Sequence, residues 1–174
     1  MKKLAVLISA SGPGTNLKAI RKAIKSKKLK AKICLVISDT HKKLADFPVD
    51  YICLAGWKKI IPDWLIKKFP NKILNIHPGL VPDKLKGKVI NPDGTKALWN
   101  RGKFCQAAIQ NFFDKKATYA GSTVHFLSSE FDFGLILERC FEKIKTQDTV
   151  ESLYRRLKIK ENKIYVQALI KLCN

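Results

Sequence analysis

Residues 4–17 read Leu4-Ala5-Val6-Leu7-Ile8-Ser9-Ala10-Ser11-Gly12-Pro13-Gly14-Thr15-Asn16-Leu17. A short apolar run breaks into a Gly/Pro/Ser turn, and a helical pattern begins at Asn16 with Leu17, Ile20 and Ile24 on one face. The reading is strand, tight turn, helix over 16–29 with Asn16 as its cap. Three more apolar runs follow, at 33–37, 50–55 and 73–76. They are continuous rather than alternating, the pattern of parallel strands covered on both faces. The expected fold is therefore α/β. A glycine turn that opens a helix gathers backbone N–H groups and the helix dipole into an anion site. No Gly-Lys-Ser/Thr follows, and the spacing is not Gly-x-Gly-x-x-Gly, so neither a Walker loop nor a dinucleotide fingerprint is present. An ordinary βα turn remains the alternative for this loop.

Outward from this unit, Pro62 opens a short helix to about Phe69. Residues 78–103 form a Gly/Pro/Lys-rich loop of functional length. A helix is expected over 104–115, strands over 121–127 and 135–144 with a turn at 128–134, and a long helix over 149–173. No linker or repeat divides the 174 residues, so the chain reads as one domain, 1–174. No apolar run approaches the ~20 residues that span a bilayer, which excludes a membrane-spanning helix. The 34 Lys+Arg against 14 Asp+Glu give a charge of +20. Such a field draws polyanions, yet only Arg21, Arg101, Arg139, Arg155 and Arg156 are arginines and the lysines are spread throughout. A solvated lysine-rich surface and a functional field both fit. Five widely spaced cysteines without Cys-x-x-Cys argue for a reducing compartment, and the expected location is cytoplasmic.

Asn75-Ile76-His77-Pro78 closes the 73–76 run. Strand alternation puts Asn75 and His77 on one side, at the C-terminal sheet edge where ligands bind. An amide donor beside an imidazole suits acyl transfer, while a capped strand end is the plainer reading. Glu130-Phe131-Asp132-Phe133-Gly134 is a turn that gains interest if Asp132 reaches His77. His125 reads as a packed core residue and His41 as solvated; no metal cluster is visible.

Together these segments resemble the folate-dependent formyltransferases, and within them the branch acting on glycinamide ribonucleotide. Gly12-Pro13-Gly14-Thr15-Asn16-Leu17 resembles the family's Gly-x-Gly-Ser-Asn-Leu. Leu54-Ala55-Gly56-Trp57-Lys58-Lys59-Ile60-Ile61 resembles Leu-Ala-Gly-Phe-Met-Arg-Ile-Leu, and Leu74 to Pro78 resembles Leu-Asn-Ile-His-Pro. Gly121 to Phe126 resembles Gly-Thr-Ser-Val-His-Phe, and Phe131-Asp132-Phe133-Gly134 resembles Leu-Asp-Gly-Gly. Glu161 and Tyr165 match a terminal Glu and Tyr four residues apart. The resemblance implies a Rossmann-like, mostly parallel sheet flanked by helices. It implies formyl transfer from 10-formyltetrahydrofolate, without a metal, to the amine of glycinamide ribonucleotide in purine synthesis. Asn75, His77 and Asp132 match the catalytic triad: Asn75 and an imidazolium at His77 facing the oxyanion, Asp132 holding His77 and moving protons through a water. Gly12, Gly14, Thr15 and Asn16 match the substrate phosphate loop, Glu161 the ribose contact, and Gly56 and Ile76 backbone positions near the glycinamide. Leu54, Lys59, Ile60, Ile61 and Ile66 match the pterin pocket, closed by Ser128, Ser129, Glu130, Phe131 and Asp132.

The chain departs from the family pattern in five places. Residues 38–50 stand where the family has several tens more, so the sheet is expected to be truncated at one edge and to lack a basic phosphate contact that nearby lysines replace. The loop after His77 is longer. Gly79 stands for a Ser, Phe133 for a Gly, and Lys58-Lys59 for Met-Arg. The alternatives are formylation of another amine, such as a nucleotide-linked amino sugar, and a non-catalytic basic nucleic-acid-binding module. The expected partner is a phosphorylated small-molecule amine, with no specific nucleic acid and no membrane. Oligomeric state is not legible.

Overall fold

The computed structural model describes residues 1–10, 12, 14–38, 44 and 46–174. Strands β1 (Lys2–Ile8), β2 (Ala31–Ser38), β3 (Tyr51–Leu54), β4 (Ile73–His77), β5 (Tyr119–Phe126) and β6 (Ile136–Lys143) form one sheet in the order β2-β1-β3-β4-β5-β6. The first four run parallel, and β5 pairs antiparallel with both β4 and β6. The sheet is thus mixed, with five strands in one direction and β5 reversed. Helices α1 (Thr15–Lys25), α2 (Asp63–Lys68), α3 (Cys105–Asp114) and α4 (Val150–Cys173) flank it.

Two cores explain the continuous apolar strands. Leu4 and Val6 of β1 face a core with Leu17 and Ile20 of α1, Ile109 and Phe112 of α3, and Leu157 and Tyr165 of α4. Ala5 and Leu7 face the other, with Ile52 and Leu54 of β3, Ile73 of β4 and Leu65 of α2. Alternate residues of one strand therefore end in different cores, and both must be apolar. The β5–β6 part of the second face is covered by the loop after β4: Thr123 Oγ1 donates to Gly79 O at 2.7 Å and accepts from Val81 N at 3.0 Å, and Arg139 Nε donates to Val81 O at 3.0 Å.

Both boundaries of α1 differ from expectation. Helix α1 starts at Thr15, with Gly14 at the N-cap in a left-handed conformation (φ 62°) suited to glycine. Asn16 is not the cap but lies inside the first turn, 3% exposed. The helix stops at Lys25 rather than 29 because Lys27 turns left-handed (φ 59°) and the N–H groups of Lys28 and Leu29 return to Ala23 O. Leu29 is then buried as the chain folds back. The long α4 starts with a reciprocal capping box between Thr149 and Ser152. Between β2 and β3 no α-helix lies among the described residues, where Leu44 sits buried in 3₁₀ geometry; residues 39–43, with His41, and residue 45 lie outside them.

Gly79 explains one departure from the family pattern. A Cβ there would lie 1.8 Å from the carbonyl oxygen of Trp99, so the main chain of the long loop occupies the space a side chain would need. Gly79→Ala is expected to destabilise the fold by about 2–3 kcal/mol, read as a lowered urea midpoint; an unchanged midpoint would show that the loop yields freely.

Candidate active site

Strand β4 ends in Asn75 and His77, and its antiparallel register with β5 places Asn75 opposite His125 and His77 opposite Thr123. Asn75 Nδ2 lies 3.3 Å from His125 Nε2, and His125 Nδ1 lies 2.9 Å from Phe126 O. A carbonyl oxygen only accepts, so Nδ1 carries the ring proton and Nε2 accepts from the Asn75 amide. Burial, then the neighbouring His77, pushes the His125 pKa down to about 4. The ring stays neutral near pH 7 and fixes which way the Asn75 amide points. Sequence reading placed His125 in the core, where it is fully buried. Its bond to Asn75 was missed because it needs the cross-strand register, which no local spacing reveals.

His77 is 2% exposed. Its Nε2–H donates to Trp99 O at 2.7 Å, and its Nδ1 is 3.6 Å from Asp132 Oδ1, an ion-pair rather than a hydrogen-bond distance. Asp132 does reach His77, the condition on which its turn gains interest. It adopts a left-handed φ of 52°, and Gly102 N–H donates to its Oδ2 at 2.7 Å. Burial pushes the Asp132 carboxyl up, but His77 and the Gly102 N–H outweigh it and hold the group below the ordinary carboxylate range. The Trp99 carbonyl takes Nε2 of His77 and Asp132 faces Nδ1, so Asn75 is the donor of the two with a proton to spare.

Two clefts meet at this point. One is lined by Leu54, Lys59, Ile60, Ile61, Ile66 and the turn Ser128–Asp132, which brings together every residue expected on the pterin side. The other is lined by Gly56, Ile76, His77, Lys103, Lys158 and Glu161, the residues expected near glycinamide and ribose among them. Leu54, Trp57, Lys58, Asn75, Phe104 and Asp132 line both. Glu161 is buried; it accepts from Ser122 Oγ at 2.7 Å and Lys158 Nζ at 2.6 Å. Gly12, Gly14, Thr15 and Asn16 line neither cleft, although parallel pairing of Leu7 with Leu54 puts their loop at the same sheet edge. Ser11 and Pro13 lie outside the described residues. Among the described residues Asn16 Nδ2 is a buried donor without a hydrogen-bond partner. Among the described residues no group of three His, Cys, Asp or Glu is placed to hold a metal. No described helix is long and apolar enough to cross a membrane.

Comparison with known proteins matches this architecture. Residues 38–169 match the family described as formyl transferase. A chloroplastic phosphoribosylglycinamide formyltransferase of Arabidopsis thaliana is 33% identical over 130 residues, 75% of this chain and 40% of that protein. The trifunctional purine biosynthetic protein adenosine-3 of Bos taurus is 29% identical over 97% of this chain, which spans only 18% of it. The chain thus spans well under two thirds of these relatives. The phosphoribosylglycinamide formyltransferase of Haemophilus influenzae is 32% identical over 199 aligned positions, covering 95% of this chain and 84% of that one. Those positions outnumber the 174 residues present, so the chain lacks segments that this relative carries. The crystal structure of glycinamide ribonucleotide transformylase 1 from Symbiobacterium toebii superposes with a TM-score of 0.76 at 28% identity, covering 97% of this chain and 86% of that one. With its sheet, its two clefts and this match over most of its length, the chain belongs to the formyl transferase family.

Proposed function

We propose that the protein transfers the formyl group of 10-formyltetrahydrofolate to the amine of glycinamide ribonucleotide, as a single domain in a reducing, cytoplasmic setting. The observation that carries this reading is that Asn75 and Asp132 line both clefts. A donor in one cleft and an acceptor in the other would meet at those two side chains. The names of the relatives support the choice of substrates.

The residues suit these ligands. Leu54, Ile61 and Ile66 give the first cleft apolar walls, and Ile60 and Phe131 stay 73% and 45% exposed at its rim. That is a fit for a flat heterocycle with polar edges, the edges met by the Ser128–Glu130 turn. The folate supplies a formyl carbon activated by its nitrogen. In the second cleft Lys103 and Lys158 provide a positive field for a phosphorylated amine, and Glu161 offers acceptor oxygens for ribose hydroxyls. The Gly12–Asn16 loop would take the phosphate on backbone N–H groups and on the unpartnered Asn16 amide.

As the amine attacks the formyl carbon, charge develops on the formyl oxygen. Asn75 already gives one amide proton to His125, so the second is aimed without reorganisation at that oxygen. The Asp132 carboxylate, kept ionised, takes a proton from the attacking nitrogen through a water and delivers it to the leaving nitrogen of the folate. His77, protonated on Nε2 and held by Trp99, fixes the carboxylate and contributes charge through the ring.

Purified protein is expected to formylate glycinamide ribonucleotide at the expense of 10-formyltetrahydrofolate. Asn75→Ala, His77→Ala and Asp132→Asn should each lower kcat by about 10²–10³-fold. Folate binding without turnover would move the acceptor to another amine. Loss of both, with salt-sensitive nucleic-acid binding instead, would overturn the reading.

The pH dependence follows from His125. Its folded pKa lies below the unfolded value near 6.5, so its contribution to stability is complete above about 6.5 and is lost as pH falls toward about 4. Protonation also removes the acceptor that orients Asn75. Melting temperature should therefore fall across that window, whereas kcat, which depends on the folded protein, should fall only as pH nears about 4; His125→Gln, which keeps an acceptor near the Nε2 position, should flatten both losses. A melting temperature that stays constant from pH 7 to pH 4.5 would contradict this assignment.

A further inference from the structure

We propose that Trp99 is a positioning residue that holds the His77–Asp132 pair in working geometry, a role that rests on the formyl-transfer reading above. Trp99 belongs to the long loop after β4, the part of the chain that departs most from the family pattern near the site. It touches both members of the pair through different atoms. Its carbonyl oxygen accepts the Nε2 proton of His77 at 2.7 Å. Its indole Nε1–H donates to the backbone carbonyl of Asp132 at 3.0 Å. The first contact leaves Nδ1 as the nitrogen that faces Asp132. The second fixes the peptide that follows Asp132, a residue in a left-handed conformation that non-glycine residues adopt reluctantly.

Two further departures from the family pattern have a common explanation in Trp99. Gly79 stands where the family has a Ser, and any Cβ there would strike the Trp99 carbonyl at 1.8 Å. Phe133 stands where the family has a Gly, and its ring packs on the Trp99 indole with centroids 5.9 Å apart and planes tilted by 55°. Removing one side chain lets the Trp99 main chain approach His77; adding another gives its indole a wall beside Asp132. The next residues strengthen the hold. The Arg101 guanidinium lies 5.0 Å from the Trp99 ring centroid, donates from Nε to Phe131 O at 3.1 Å and pairs with Glu130. Gly102 N–H donates to the Asp132 carboxylate itself at 2.7 Å. The segment Trp99–Gly102 thus grips the turn at Glu130, Phe131 and Asp132 while it holds His77 from the other side. The indole N–H is the part of this clamp that a single substitution removes cleanly.

Trp99→Phe keeps a ring against Phe133 and the carbonyl bond to His77 but deletes the donor to Asp132. Loss of one hydrogen bond that positions a reacting group is expected to lower kcat about tenfold. KM for folate and for the ribonucleotide should stay within about twofold, and the melting temperature should change little. In the free protein, a long-range proton–nitrogen spectrum of the His77 ring should give one sharp set of ring signals in the wild type and an exchange-broadened or doubled set in Trp99→Phe. An unchanged kcat together with an unchanged His77 pattern overturns the proposal. A raised folate KM at constant kcat also overturns it, and makes Trp99 only a wall of the pocket. Wild-type protein that transfers no formyl group refutes the reaction; the His77 spectrum, which needs no substrate, then decides the positioning role alone.

Discussion

Strand β4 pairs in opposite senses on its two sides, parallel to β3 and antiparallel to β5, and the candidate site depends on that switch. The parallel side brings Gly56 and the 57–61 segment to the C-terminal end of β4. The antiparallel side sets His125 across from Asn75 and ends β5 beside Ile73 and Leu74, from where the Ser128–Gly134 turn brings Asp132 back to His77. The ends of β3 and β4 also share an anchor, since the buried Tyr165 hydroxyl lies 3.3 Å from both Leu54 O and Leu74 O.

The site is built on donors and acceptors that the chain itself satisfies. Asn75 is aimed by a neutral histidine, His77 by a main-chain carbonyl, Asp132 by a main-chain N–H. Such fixed groups need no reorganisation when charge moves, which is where most of the advantage of an oxyanion site arises. The loop 79–102 has two tasks in this arrangement. It covers the second face of β5 and β6, and it delivers Trp99 to His77 and Asp132. Its length is thus accounted for without a separate activity.

Much of this was legible in the sequence. The apolar runs of β1, β3 and β4 gave the sheet because both cores must be filled from one strand. The pairing of Asn75 with His77 followed from strand alternation. The pterin-side residues emerged from the resemblance, and they line one cleft. What escaped was of two kinds. The end of α1 depends on a left-handed Lys27, a conformation that lysine does not advertise. The partners of His77 and Asn75 depend on a main-chain oxygen and on strand register, and neither leaves a mark in the side-chain sequence. The phosphate loop, assigned from its glycines and Asn16, stands beside the clefts rather than in their walls.

The proposed function has two ligands meet across Asn75 and Asp132. The most direct test is calorimetric binding of a single molecule in which a folate is joined through its formyl-bearing nitrogen to glycinamide ribonucleotide. If the clefts meet as described, each half raises the effective concentration of the other, and the joined molecule should bind about 10²-fold or more tighter than the better of its halves, with the gain lost in Asp132→Asn only in part and in a variant that fills the folate cleft entirely. Affinity no greater than that of the folate half alone would contradict the account.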